Sequence, residues 1–519
     1  MANNINGVVP WSAILVFWCV FVNGVKGEAK DDNKLLSLSC NFDYKDALAK
    51  AILFFEGQRS GKLPADQRVK WRGNSALYDG KPENVNLVGG YYDAGDNVKF
   101  GWPMAFTVSL LSWAALEYQN DISSANQLEF LHKAIRWGTD FILSAHSSPT
   151  TFYTQVGDGN ADHECWERPE DMDTPRTLYK ITCDCPGTEA AAEASAALSA
   201  ASLAFKGVDY DYSASLLSNS HSLFELADNY RGSFKASCPF YCSYSGYQDE
   251  LLWAAAWLYK ASGNYKYLTY VSSNQGWSQA VTEFSWDNKF VGAQTLLLKE
   301  FYKGNKNLNR YKIDIESFIC AVMPGSSTSQ IKTTPGGLLY YRDNNNLQYV
   351  TSSAMVLFIY SNTLNAAHVD GVKCGSAHFS ASHIMAFAKS QVDYILGKNP
   401  MKISYMVGFG DRYPMQLHHR GSSIPSKKAH PSKIGCNEGY SSYFSSSKPN
   451  PNIHIGALVG GPNSDDRFND VRSDYSHSEP TTYMNAAFVG SVAALLMTPA
   501  KESATLQLHI NSTTTLPLF

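Results

Sequence analysis

The stretch TEAAAEASAALSAASLAF, residues 188–205, carries small side chains on nearly every face and holds neither Gly nor Pro. An exposed helix needs a polar face, so such a run predicts a helix packed closely by neighbours all round. Comparable segments stand on either side of it. Residues 42–57, FDYKDALAKAILFFEG, place apolar side chains at helical spacing with an Asp near the start. Helices are further predicted over 104–119, 127–145, 213–230, 247–261, 287–301, 308–322, 348–366, 377–396 and 483–497, with the run at 188 reaching 206 and weaker candidates in 265–283. The count is about a dozen with few strand signals, which makes the chain all-α. Short turns and long loops alternate between them, predicting six helical hairpins closed into a barrel. The alternative is an open helical solenoid, for which no fixed-period repeat is found.

Composition narrows the class. The 519 residues are 44% hydrophobic and 17% charged with a net charge of -4, and no basic block is interleaved with aromatics, so nucleic acid is excluded as a partner. The aromatic share is 13%, with 30 Tyr and 11 Trp, which favours a sugar-binding surface. The apolar run Trp11 to Val22 is too short to span a bilayer and reads as a signal-peptide core, although the first ten residues lack Lys and Arg. Three parts are expected: a signal peptide over 1–27, boundary within about three residues; one main domain over 28–498; and a short polar tail over 499–519, too short for a further binding module. An uncleaved membrane anchor is the alternative for the first part. Secretion implies an oxidising compartment. Of 10 Cys, Cys19 lies in the signal, and the odd remainder leaves at least one thiol unpaired within the chain. Cys183 and Cys185, and Cys238 and Cys242, are close in sequence, but no paired zinc motif is present. Asn511 heads the one N-x-S/T glycosylation acceptor.

The chemistry is concentrated in three non-helical blocks. GGYYDAGDNVKF, 89–100, sets Asp93 and Asp96 three apart on a glycine-rich turn beside Tyr91, Tyr92 and Phe100. Two carboxylates on one tight turn can aim at one point, and carboxylate pairs with aromatic neighbours suit the cutting of glycosidic bonds. This turn closes a long loop from 58 to 103, a length that in a compact protein marks functional chain. In VGDGNADHECWERPEDMDTPRTLYK, 156–180, Asp158, Asn160 and Asp162 alternate as in a calcium loop. His163 stands at the required Gly and Pro169 at the required Glu, so an EF-hand is rejected. The remaining reading is a substrate-facing loop with His163 as a hydrogen-bonding group and Trp166 as a stacking face.

The third block, 398–482, is rich in Gly, Pro, Ser and Asn, and holds His418, His419 and Arg420. Adjacent imidazoles rarely share one ion and no third ligand is spaced nearby, so no metal is assigned. Glu479, followed by Pro480 and an apolar run, has two open readings: a partly desolvated general acid, or a cap on the 483–497 helix.

Together these blocks resemble plant endo-β-1,4-glucanases of glycoside hydrolase family 9, from about residue 40 to about residue 498. The most specific matches are SYMVGFGDRYPMQLHHR (404–420) and FNDVRSDYSHSEPTTYMNA (468–486), supported by DAGD and LPADQRVKWRG (63–73). The resemblance implies an (α/α)6 barrel with long loops forming an open cleft, and inverting hydrolysis of internal β-1,4-glucosidic bonds. It implies Glu479 as general acid and Asp96 as general base, with Asp93 helping to hold the attacking water. Inversion then calls for a carboxyl separation of roughly 6.5–9.5 Å. Asp470 would orient the site, and His418 and Arg420 would bind sugar hydroxyls. His163 is implied as a sugar contact and Trp166 as a platform, with Trp71, Tyr244 and Trp253 as further platforms. No cofactor is implied, although a structural calcium occurs in the family and no loop here identifies one. A β-1,4-glucan is the expected partner, with no membrane contact after signal cleavage, and a monomer in the plant cell wall is the expected state. Asn74 stands where an acidic residue is expected and Asn344 where many relatives carry Trp, a change that bears on one glucose subsite. The alternatives are a xyloglucan or mixed-linkage glucan hydrolase on the same machinery, or a catalytically silent glucan-binding wall protein.

Overall fold

The structure is a computed structural model that describes residues 42–496; the predicted signal peptide, Cys40, Asn511 and the tail lie outside the described residues. Twelve helices of nine or more residues are found among them. They are α1 (Tyr44–Gln58), α2 (Gly101–Glu117), α3 (Leu128–Ala145), α4 (Thr188–Phe205), α5 (Tyr210–Asn229) and α6 (Gln248–Ser262), then α7 (Tyr265–Ser273), α8 (Phe290–Tyr302), α9 (Asn309–Val322), α10 (Asn346–Ala366), α11 (Ala381–Ile395) and α12 (Thr482–Ala493). The even-numbered six touch in the order α2, α4, α6, α8, α10, α12, and α12 returns to α2, so the ring is closed. Each odd-numbered helix packs outside a neighbour of that ring. This is the (α/α)6 barrel, and it excludes the open solenoid.

The Ala-rich run explains how the inner ring closes. Every residue of α4 except Leu203 is buried. Small side chains let its axis approach its neighbours, and the few polar ones are paired: the hydroxyls of Ser195 and Ser199 lie 3.0 and 2.5 Å from that of Ser220 on α5. At the other closure point Gly490 of α12 faces Met355 of α10, whose sulfur would lie 2.7 Å from an added Cβ. Inside the barrel the buried Lys289 ammonium lies 3.2 Å from Glu250 and 3.6 Å from Glu193, which compensates charges that water cannot reach. Helix starts follow capping chemistry: Asp43, Asp209, Asn264, Ser380 and Thr481 each accept a backbone N–H with their side chain.

Two departures from the sequence reading concern strands. Strands β1 (Lys99–Phe100), β2 (Thr151–Val156) and β3 (Leu178–Thr182) form an antiparallel sheet in that order, with Lys99 opposite Val156. A two-residue strand has no periodicity to read, yet it anchors the downstream end of the acidic loop. Residues 371–380, the start of the predicted 377–396 helix included, instead form a hairpin, Gly371–Cys374 with Ala377–Ser380. Ser380 caps the helix that follows, and Cys374 is bonded to Cys320. Two further disulfides join Cys165 to Cys436 and Cys238 to Cys242, while Cys183 and Cys185 are free and exposed. The first ties the 156–180 block to the 398–482 block.

A buried ion triad holds the long loop from 58 to 103. Lys99 has no exposed surface, and its ammonium lies 2.7 Å from Asp79, which also pairs with Arg176 at 2.9 Å. Burial alone would raise the Asp79 pKa, but the two cations hold it below the usual carboxylate range. Arg176 also donates to the Asn97 carbonyl at 2.7 Å, one residue past the acidic turn. Asp79→Asn leaves Lys99 buried without its counter-charge, and a loss of about 3–5 kcal/mol is expected. Chemical unfolding of wild type and variant side by side measures it.

Candidate active site

The acidic loop is built from backbone crossings. Gly89 and Gly90 adopt positive φ (107° and 72°), turning the chain toward the barrel. Gly95 is required for a different reason: an added Cβ would fall 2.0 Å from the His418 carbonyl oxygen. That approach lets the Gly95 N–H donate to Glu479 Oε1 at 2.9 Å while its carbonyl accepts the Arg420 N–H at 2.9 Å. The Asp93 carbonyl accepts from Thr482 N–H at 3.0 Å, tying the loop to the first turn of α12. Thr481, not Glu479, caps that helix by accepting from Met484 N–H. The capping reading of Glu479 is thereby excluded, and its carboxyl faces the cleft.

The cleft has a volume of about 650 Å³, and Asp93, Asp96, His163, His418, Arg420 and Glu479 all line it. Its aromatic wall includes Phe240, Tyr241, Trp286, Tyr349, Tyr475 and Tyr483, and Asn344 stands on the rim. Burial, then the charge of Asp96, pushes the Glu479 carboxyl up to about 8. Burial, then Asp162, pushes Asp96 up to about 6, opposed by His163 and Arg420. Asp93 is driven well above the carboxylate range by burial and by Asp96, against a hydrogen bond from the Tyr241 hydroxyl. Glu479 is thus pushed higher than Asp96, the order that an acid and a base acting together require.

The histidines divide into separate roles. His418 donates from Nδ1 to the Arg472 carbonyl at 2.8 Å, and burial lowers its pKa to about 3, so it meets the cleft as a neutral ring. His419 turns away from the cleft: its Nδ1 accepts from Ser422 N–H at 2.9 Å and its Nε2 lies 2.7 Å from Gln58 Oε1. His163 stacks on Phe240 at 4.4 Å, with Nε2 4.0 Å from Asp96.

Several predicted site residues sit elsewhere. Trp253 is fully buried on α6 among Trp113, Trp257 and Phe284, so it is a core residue and offers no face to a sugar. Trp166 lines the cleft but is 1% exposed; Arg420, His418 and Phe444 wrap its ring and its N–H goes to Ser423, so it supports rather than stacks. Arg420 is buried too, and its guanidinium donates to the carbonyls of Cys165, Gly95 and Asp162 at 2.9, 3.2 and 3.0 Å, which makes it a brace for the loops. Trp71 lies outside the cleft, its edge against His419 and His454. Tyr244 is 75% exposed and outside the lining, on the loop that supplies Phe240 and Tyr241. Asp470 also lies outside, accepting the Met415 and Gln416 N–H groups at 2.7 and 2.9 Å, and so sets the strand of chain that leads to His418. Tyr241 was missed: its only signal is an aromatic pair enclosed by Cys238 and Cys242.

A helical barrel with several buried carboxyls lining one aromatic cleft is the arrangement of a hydrolase of polysaccharides. The model of glycosyl hydrolase family 9 matches residues 44–492, and the chain belongs to that family. It is 73% identical to an endoglucanase of Phaseolus vulgaris, covering 90% of this chain and 94% of that one. It is 69% identical to endoglucanase 20 of Arabidopsis thaliana, covering 88% and 95%. Among solved structures, the endoglucanase of the termite Nasutitermes takasagoensis is 40% identical with a TM-score of 0.78, covering 88% of this chain and 99% of that one. Cellulase Cel9M of C. cellulolyticum, solved with cellobiose, is 30% identical with a TM-score of 0.76 and the same coverage. Gly95→Ala drives a methyl into the His418 carbonyl and separates the two loops. Activity on soluble glucan is expected to fall by about 100-fold or more while far-ultraviolet circular dichroism stays that of the wild type.

Proposed function

We propose that this enzyme cuts internal β-1,4-glucosidic bonds of cellulose and related β-glucans by single displacement, with inversion. Glu479 is the general acid that protonates the leaving oxygen. Asp96 is the general base that takes a proton from the attacking water, and Asp93, held by the Tyr241 hydroxyl, helps to place that water. His418 and His163 contact the sugar hydroxyls, Asp470 orients the chain bearing His418, and Tyr244 serves a glucan extending past the cleft. Acid, base and water suffice for the reaction, so no cofactor is needed. The observation that carries this reading is two carboxyls brought to one cleft through one loop: the Gly95 N–H donates to Glu479 Oε1 at 2.9 Å, and Asp96, the next residue, lines the same cleft, with burial and the Asp96 charge pushing Glu479 up to about 8 and burial and Asp162 pushing Asp96 up to about 6. The similarity to plant endoglucanases, and the cello-oligosaccharides bound in related structures, support the substrate class. We also read the protein as secreted, on the apolar run near its start, and, with its plant endoglucanase relatives, as acting in the cell wall as a monomer.

Viscosity and reducing ends of carboxymethyl cellulose, followed together, test endo action: viscosity is expected to collapse before many ends appear. Glu479→Gln is expected to lower kcat on the order of 10²–10⁴-fold. Proton NMR of the first product should show the α-anomer; a β-anomer overturns inversion. If xyloglucan or mixed-linkage glucan is cut faster than carboxymethyl cellulose, the substrate assignment moves to that glucan with the same residues.

The pH profile follows from the two states. Asp96 must be ionised, so kcat/KM rises as pH passes about 6; Glu479 must be protonated, so it falls as pH passes about 8. A bell between those limbs is expected, measured at constant ionic strength. An alkaline limb that persists in the residual activity of Glu479→Gln would assign that limb to another group.

A further inference from the structure

We propose that Gln58 is a positioning residue for both reacting carboxyls: its amide, oriented by two buried histidines, fixes the Ala94–Gly95 peptide against which Glu479 and Asp96 are set. The inference rests on the acid and base assignments above.

Gln58 ends α1, is 1% exposed and does not line the cleft. Its Nε2 donates to the carbonyls of Ala94 at 2.8 Å and Tyr92 at 3.3 Å. Carbonyls only accept, so the amide cannot be turned the other way. Its Oε1 therefore faces His419 Nε2 at 2.7 Å and His454 Nε2 at 3.0 Å, and each ring must carry its proton there. His419 agrees independently, since its Nδ1 already accepts from Ser422. With two bonds donated and two accepted the amide is saturated, and nothing of it is left for substrate.

The geometry transmits directly to the reaction centre. The Ala94 carbonyl and the Gly95 N–H belong to one planar peptide. Gln58 holds one edge of that plane, and the other edge donates to Glu479 Oε1 at 2.9 Å. Asp96 is the next residue. The surroundings are built to keep the clamp: Phe54 stacks on His454 at 4.8 Å, and a Cβ at Gly57 would lie 2.2 Å from the His454 ring. Burial keeps both histidines neutral, so the orientation of the amide does not change with working pH.

The test compares Gln58→Met and Gln58→Glu with wild type and Glu479→Gln, all as the full chain. Gln58→Met removes all four bonds. A fall in kcat of about 10–100-fold with KM within about twofold is expected, as for a small misplacement of reacting groups. The alkaline limb should also move to higher pH, because the Gly95 N–H stabilises ionised Glu479; a loss of general stability would not move it. Gln58→Glu keeps the acceptors for both histidines but loses the donor to Ala94, which serves if the Met variant does not fold. Its activity relative to wild type should be lowest at neutral pH and recover toward acid, where its carboxyl regains a proton to donate. Folded variants with wild-type kcat and an unmoved alkaline limb overturn the clamp while leaving the acid assignment intact. If Glu479→Gln keeps wild-type activity, the acid assignment fails and the clamp with it.

Discussion

The close approach of Gly95 to the His418 carbonyl is the contact on which the rest of the site depends. Only a residue without a side chain lets the two backbones cross there. Once they cross, the Gly95 N–H meets Glu479, the Gly95 carbonyl meets Arg420, and the Asp93 carbonyl meets Thr482. Segments more than three hundred residues apart are thus joined, two of the three bonds running from main chain to main chain, whose geometry is less adjustable than that of side chains. Such a crossing needs rigid ends to start from. The barrel supplies them, because α1 delivers Gln58, α2 receives the acidic loop and α12 begins three residues after Glu479.

Charge explains how this geometry becomes chemistry. Asp93, Asp96, Asp162 and Glu479 share one region, and Arg420 is the buried cation braced among them. Ionised carboxylates are costly at such burial, and desolvation is the first cause that raises Asp93, Asp96 and Glu479. Burial keeps His418 neutral, so it adds no compensating charge, whereas His163 and Arg420 both oppose the rise of Asp96. Glu479 is consequently pushed higher than Asp96 within one cleft, the separation that the proposed acid and base roles call for.

Much of this was legible in the sequence. The helices were readable because long periodic or uniformly small runs have few other uses, and the even-numbered ring begins from such runs. Asp93 and Asp96 stood out as a carboxylate pair on a glycine-rich turn, whereas Glu479 stayed open between an acid and a cap until Thr481 was seen to cap the helix, and His418 was given a sugar-binding role only by the resemblance. The β1 strand and the 371–380 hairpin were not readable, since two to four residues of pairing leave no pattern. Nor were the platforms: Trp253 and Trp166 look like Tyr or Trp anywhere, and exposure is a property of the packed barrel.

The residue types along the chain by themselves determined an all-helical barrel and the carboxyls available to it, because periodicity and side-chain chemistry are local. The tertiary structure alone decided which groups act from the cleft and which hold it in place. His418 and His419 are neighbours in sequence with opposite fates, one facing substrate space and one clamping Gln58. Their difference arises from backbone direction at a single crossing, which depends on the position of Gly95 more than three hundred residues earlier.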